Sequence, residues 1–200
     1  MLLHAFVSGS RVNGPGLRAV VYLQGCSLRC RNCWNLETHA FTGKERTVAE
    51  VADLIVRAQE ERPLDGVTFS GGEPMQQADV VLSLIKSLRE RLAGLSFGMY
   101  SGYSHGELSR GLYWCRSELT QSAKRRIWRS IKSHLDFAVL GRYADARPSA
   151  LPLRTSTNQT LELFSDRYSE EDFGPQEVEV QIDSHGTVQI SGFPIAGMPI

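Results

Sequence analysis

A chain of 200 residues, 42% hydrophobic, with 22 basic and 22 acidic side chains, has the size of one domain and enough apolar content for a core, which excludes a disordered polymer. The balanced charge removes any general attraction to nucleic acid or a membrane surface, and no apolar run approaches the length of a membrane span. Three of the four cysteines crowd into Cys26–Cys33, unlike the dispersed, even-numbered set of a disulfide framework.

The first residues, MLLHAFVSGSRVNGPG, have a short apolar start without a basic n-region, and predict a mature N-terminus in the cytoplasm rather than a signal peptide. Residues 17–24, LRAVVYLQ, are β-branched and apolar and predict a buried strand feeding a loop at Gly25. TVAEVADLIVRAQEE, residues 47–61, carries Thr47 and Glu50 at capping-box spacing, with Val48, Val51, Ala52, Ile55 and Ala58 on one helical face. A second strand over 66–70 ends in the glycine turn SGGEP, Ser70–Pro74. A second amphipathic helix is expected over 77–92, with Val80, Val81, Leu84, Ile85 and Leu88 inward. LSFGMYSGY gives a third strand. Residues 117–133 give a basic helix with Leu119, Ala123, Ile127 and Ile131 on its apolar side. LDFAVLGRY and NQTLELF give strands four and five. Alternating strand and helix predict a parallel sheet with right-handed crossovers. The tail VEVQIDSHGTVQISGFP alternates with period two on both sides of Asp183–Gly186, which predicts a β-hairpin that extends or covers a sheet edge. The domain division expected is 1–164 for the main unit and 165–200 for a C-terminal extension packed on it. The 141–158 loop, with Pro148 and Pro152, is long enough to be functional or mobile.

Cys26, Cys30 and Cys33 have the spacing C-x3-C-x2-C. About 25 Å of extended chain spans that segment, enough to wrap a small cluster from one side, at the strand C-terminus where α/β sheets place their sites. A structural zinc ion needs a fourth ligand; Cys115 or His39 would have to supply it, and neither has zinc-finger spacing. Three unrelated buried thiols are a further reading. An iron–sulfur cluster normally takes four cysteines; with three, one iron stays open to bind a substrate. None of the five histidines sits in a ligand-like pair.

The C-x3-C-x2-C motif after the first strand resembles the radical S-adenosylmethionine (SAM) superfamily. The resemblance implies that Cys26, Cys30 and Cys33 hold a [4Fe–4S] cluster whose fourth iron chelates SAM, and that one electron then cleaves SAM to methionine and a 5′-deoxyadenosyl radical. Making a primary carbon radical demands a strong reductant, and cluster potentials reach about −700 mV. It also implies a partial (βα) barrel. Gly71, Gly72 and Glu73 of SGGEP are similar to the family's GGE motif, which contacts the SAM ammonium through a charge-assisted pair; alone, such a turn has an ordinary structural reading. Ser101 and Gly102 in YSGY fall where SAM ribose and methionine would lie. Many family members carry an aromatic before the third cysteine to pack near adenine. Here that position is Asn32, and the aromatic, Trp34, follows Cys33.

Two further stretches narrow the resemblance. NGPGLR, Asn13–Arg18, precedes the first strand. VLGRYADARPSALPLRTSTNQTLELF, Val139–Phe164, resembles a segment of anaerobic ribonucleotide reductase activating proteins at Gly141, Leu151, Arg154, Ser156, Asn158 and Gln159. From about residue 4 to 164 the chain is thus similar to glycyl-radical activases. That implies a glycyl-radical enzyme as protein substrate and a reductant such as flavodoxin, for which Lys124, Arg125, Arg129 and Lys132 form a basic helix face; a solvated surface is the plainer reading of those four. Two other functions stay open: a stand-alone radical SAM enzyme acting on a small molecule or peptide, and a non-catalytic, metal-stabilised interaction protein. Cys115 is read as a half-buried thiol.

Overall fold

The computed structural model describes residues 1–182, 186 and 188–193. Six strands form one sheet in the order β1-β2-β3-β4-β5-β6. They are β1 (Leu3–Ser10), β2 (Arg18–Leu23), β3 (Gly66–Gly71), β4 (Ser96–Ser101), β5 (Phe137–Leu140) and β6 (Thr160–Leu163). The four central strands are parallel. Both edges are antiparallel: β1 pairs with β2, and β6 with β5. The expected parallel sheet is therefore its centre. The edge strand β1 was not anticipated, because His4 and Ser8 break the apolar pattern of LHAFVSGS and its ladder contains register irregularities.

Alternation along the strands separates two faces. Val21, Phe69, Met99 and Ala138 lie in one register row. They join the main core with the helices α1 (Val48–Glu61) and α2 (Ala78–Arg91) and the later α4 (Gln121–Lys132). The Thr47–Glu50 capping box forms, and Val51, Ala52, Ile55 and Ala58 are buried as the 3.6-residue period requires. On α2 the buried set is Ala78, Val81, Leu84, Ile85 and Leu88; Val80 is only half-buried. A short helix, α3 (His105–Arg110), was also unanticipated, although Ser104 and Glu107 close a capping box at its start. The basic helix begins at Gln121, capped by Thr120, rather than at residue 117.

The opposite face carries Phe137 and Val139 in a second apolar cluster with Leu153, Phe173 and Phe193. At its base Arg18 is fully buried. All five of its N–H groups are used. Nε donates to Thr68 Oγ1, Nη1 to Pro15 O and Ser96 Oγ, and Nη2 to Val67 O and Ser96 O, at 2.6–3.3 Å. Burial lowers its pKa, and the guanidinium stacks over the Phe137 ring.

Beyond residue 164 the chain returns along this face. Tyr168 donates its hydroxyl to Ser96 Oγ at 2.8 Å, and Phe173 meets Phe137 edge-on at 5.2 Å. Strands β7 (Val178–Ile182) and β8 (Val188–Gly192) pair antiparallel as a separate two-stranded sheet. The expected turn, Asp183–Gly186, lies outside the described residues except for Gly186. Gln181 and Gln189 donate side-chain amides to the carbonyls of Gly9 and Phe6, and Glu179 accepts the Arg11 N–H. The first two bonds occupy carbonyls of the edge strand β1, and the third holds the residue just past its end, so that this edge is covered against pairing with another chain.

Candidate active site

The C-terminal ends of β2, β3, β4 and β5 open onto one cavity of ≈ 230 Å³. Cys26, Cys30, Cys33 and Trp34 come from the loop after β2. Gly71 ends β3, with Gly72 and Glu73 after it, and Ser101 ends β4, with Gly102 after it. All nine line this cavity. The same measure of space for one water is about 10–15 Å³, so the cavity has room for a group of many atoms.

The cysteine loop is anchored at its N-terminal side, before and after Cys26. Gln77 bridges it to the N-terminus, donating to Leu2 O and Gln24 O and accepting the Leu2 N–H. Gln76 accepts the Ser27 N–H at 2.9 Å and donates to Ser27 Oγ and the Tyr103 hydroxyl. Between the thiols, Arg29 and Asn32 have φ of 49° and 52°. Asparagine tolerates this left-handed region better than an aromatic residue, and Asn32 also donates to Asp145 at 2.7 Å. The left-handed backbone at this position thus suits the asparagine that stands before Cys33. Trp34 reaches the cavity wall, 5.7 Å from the Tyr143 ring and 6.4 Å from Phe193.

The two glycines of SGGEP are required by close backbone packing, in keeping with the structural reading of such a turn. Gly71 has φ of 92°, and a Cβ there would lie 2.7 Å from the backbone N and O of Leu23. A Cβ on Gly72 would lie 2.4 Å from Gly25 O. The close approach at these Cβ positions is to the end of β2 and the start of the cysteine loop, which Gly72 N and Glu73 N bind through Leu23 O and Gly25 O at 2.7 and 3.0 Å.

Glu73 is buried and accepts three hydrogen bonds, from Met75 N, Ser101 Oγ and Gly102 N, at 2.7–2.8 Å. Burial pushes its pKa up to about 7, against the pull of these donors and of Arg142. A cation brought into the cavity would oppose that shift. Burial also raises all three thiols, Cys26 to about 12, so binding a metal group there must release protons.

Among the described residues no three His, Cys, Asp or Glu side chains converge on a point that one metal ion could occupy. The three thiols line the same cavity, and Cys115 does not. Three cysteines in one cavity are a donor set that would leave one corner of an iron–sulfur cluster without a thiolate. Cys115 lies in the main core, its Sγ 3.9 Å from Asp79 Oδ1. It is more buried than the half-exposed thiol expected. His39 does line the cavity, and its Nε2 has no partner among the described residues.

Some cavity residues escaped the sequence reading. Asn13 comes from the segment between β1 and β2, Tyr22 from β2, Tyr143 from the loop after β5, and Ile190–Phe193 from the tail. Arg142 donates to Glu107 Oε2 and Gly102 O at 2.8 and 3.1 Å. The long loop is stitched by Gln159, whose Oε1 accepts Thr155 N, Thr155 Oγ1 and Ser156 N at 2.9–3.0 Å. On α4, Arg125 and Arg129 are exposed, whereas Lys124 and Lys132 lie over the Tyr113 and Phe164 rings.

The sequence profile described as "4Fe-4S single cluster domain" matches residues 12–162. The chain belongs to the 4Fe-4S single cluster domain family. Relatives of this 4Fe-4S single cluster domain protein include the pyruvate formate-lyase-activating enzyme of Clostridium pasteurianum. It is 37% identical over 49% of this chain and 45% of its own length. The anaerobic ribonucleoside-triphosphate reductase-activating protein of Vibrio cholerae is 25% identical over 82% of this chain and 99% of its own length. Its Salmonella typhimurium namesake is 26% identical over 54% of this chain and 73% of its own. The chain thus spans less than half of the pyruvate formate-lyase-activating relative. The kinship with radical SAM glycyl-radical activases read from the motifs is borne out. Among the described residues no helix is long and apolar enough to cross a membrane.

Proposed function

We propose that this chain is a radical SAM activase that generates a glycyl radical on a partner enzyme, and that the partner is an anaerobic ribonucleotide reductase. Cys26, Cys30 and Cys33 hold the [4Fe–4S] cluster in this reading. Gly71, Gly72, Glu73, Ser101, Gly102 and Trp34 form the SAM seat. When bound, the cluster would supply the electron that splits SAM held on its open iron. The chain's own residues then have three tasks. The loop anchors, Gln76 and Gln77, hold the thiols in place. Glu73, fixed by Ser101 and Gly102, presents a carboxylate to an ammonium group. Trp34, Tyr143 and Phe193 give the cavity an apolar wall that keeps water from a reactive radical. No side-chain general base is required, because a hydrogen atom and not a proton is removed.

One observation carries the proposal: the three thiols and the Glu73 turn, 40 residues and a helix apart in sequence, line the same cavity. The choice of reductase over pyruvate formate-lyase rests on extent, since similarity to the Vibrio cholerae reductase-activating protein runs over nearly all of that relative. Residues 165–200 are read as an extension of the 1–164 unit. Flavodoxin or a similar acidic reductant would dock on the exposed arginines of α4. The test is anaerobic reconstitution with iron and sulfide, then incubation with SAM, reductant and the candidate reductase. The expected results are 5′-deoxyadenosine and a glycyl-radical resonance on the reductase. Absence of 5′-deoxyadenosine under strong reduction overturns the enzyme reading, and its presence without the reductase signal overturns the partner.

A further inference from the structure

Gly192, from the C-terminal segment, lines the same cavity as the three cysteines. It is held there by built contacts on both sides. Ser191, 5% exposed, accepts Asn13 Nδ2–H at 2.6 Å and shares a hydrogen bond with the Tyr22 hydroxyl at 2.8 Å. Phe193 donates its N–H to Glu177 O at 2.9 Å, and its ring packs edge-on against Trp34. Gly192 itself has φ of +98°, and a Cβ would lie 2.3 Å from Glu177 O and 2.6 Å from Val12 Cγ2. Only glycine fits that backbone. The six-stranded sheet is complete without this segment, and the segment brings a glycine to the cavity that the three cysteines line.

We infer that Gly192 is a glycine presented in cis: it occupies the seat that a partner's target glycine would enter, and it gives up a Cα hydrogen atom itself when no partner is bound. The inference rests on the activase reading above. In the step, the Gly192 Cα–H bond breaks homolytically, and the hydrogen atom forms a C–H bond on the 5′-carbon derived from SAM. The products are 5′-deoxyadenosine and a Cα-centred radical at Gly192. The one electron that splits the sulfonium comes from an added low-potential reductant, and methionine leaves. A partner loop would have to displace Ile190–Phe193 to reach the same place.

The test uses the full chain, made with Cα-deuterated glycine, reconstituted anaerobically, and incubated with SAM and dithionite alone. The expected result is deuterium in 5′-deoxyadenosine from the wild type. Admitting oxygen to the spent wild-type protein, which cleaves a peptide at a Cα radical, should cut the chain at Gly192 and so identifies the source among the 18 glycines. Ser191→Ala keeps the glycine but loses its two tethers, and should lower the labelled fraction about fivefold or more. Unlabelled 5′-deoxyadenosine from the wild type, or a chain uncut at Gly192, overturns the inference and leaves the activase reading standing. No 5′-deoxyadenosine at all overturns both. A second readout needs no cluster: in the apoprotein the Phe193 amide should exchange about tenfold more slowly in wild type than in Ser191→Ala. Equal exchange rates overturn the seating.

Discussion

Ser101 donates its hydroxyl to the Glu73 carboxylate at 2.8 Å, joining the turn after β3 to the turn after β4. Gly102 N–H completes the link at 2.7 Å. The buried carboxylate is thus both the brace between two strand ends and the one carboxylate of the proposed SAM seat.

Because burial raises Glu73 to about 7, the folded apoprotein binds more protons than the unfolded chain between pH 4.5 and 7. Stability therefore falls as pH rises through that window and levels off above it. The contribution is at most about 3 kcal/mol. Apoprotein melting should be highest near pH 5, and Glu73→Gln should flatten the slope. An equally steep slope in Glu73→Gln would assign it to another group.

Cys30→Ala should reduce the iron bound after anaerobic reconstitution to background, because two thiolates cannot hold the cluster against solvent. Cys115→Ala should leave iron content unchanged, since Cys115 packs in the main core away from the cavity. Colorimetric iron and sulfide assays read both. Wild-type iron in Cys30→Ala contradicts the ligand assignment.

Gly72→Ala places a methyl group 2.4 Å from Gly25 O. Backbone has to shift, at a cost of about 1–3 kcal/mol. The expected result is a lower melting temperature of the apoprotein, before any cofactor is added. An unchanged melt would mean that the glycine serves only a ligand.

Arg18→Lys should destabilise the fold by about 3 kcal/mol or more, because an ammonium cannot reproduce five directed N–H bonds from a planar fork. Denaturant unfolding measures this. Arg18→Met should also destabilise, since it leaves buried acceptors on Thr68, Ser96 and Val67 without their donor. A stability equal to wild type in both variants would show that the acceptors find other partners.

The helices and central strands were legible because their signals are local. The Thr47–Glu50 box and the apolar stripe of α1 lie within one segment, and the run LRAVVYL ends where β2 ends. The cysteine spacing also stands in one stretch. The short elements were harder. Helix α3 buries only Leu108, so its capping box was the one available signal.

By itself, then, the sequence determined the alternating elements, the three-thiol loop and the glycine–glutamate turn, because each is written in neighbouring residues with a fixed period or spacing. Tertiary structure alone decided that Gly71 and Gly72 serve the passage of the cysteine loop, that Asn32 turns the chain between thiols, and that Ser191 reaches Asn13 across 178 positions. Those depend on which backbone passes within 3 Å of which other, and no local periodicity encodes a contact between distant segments.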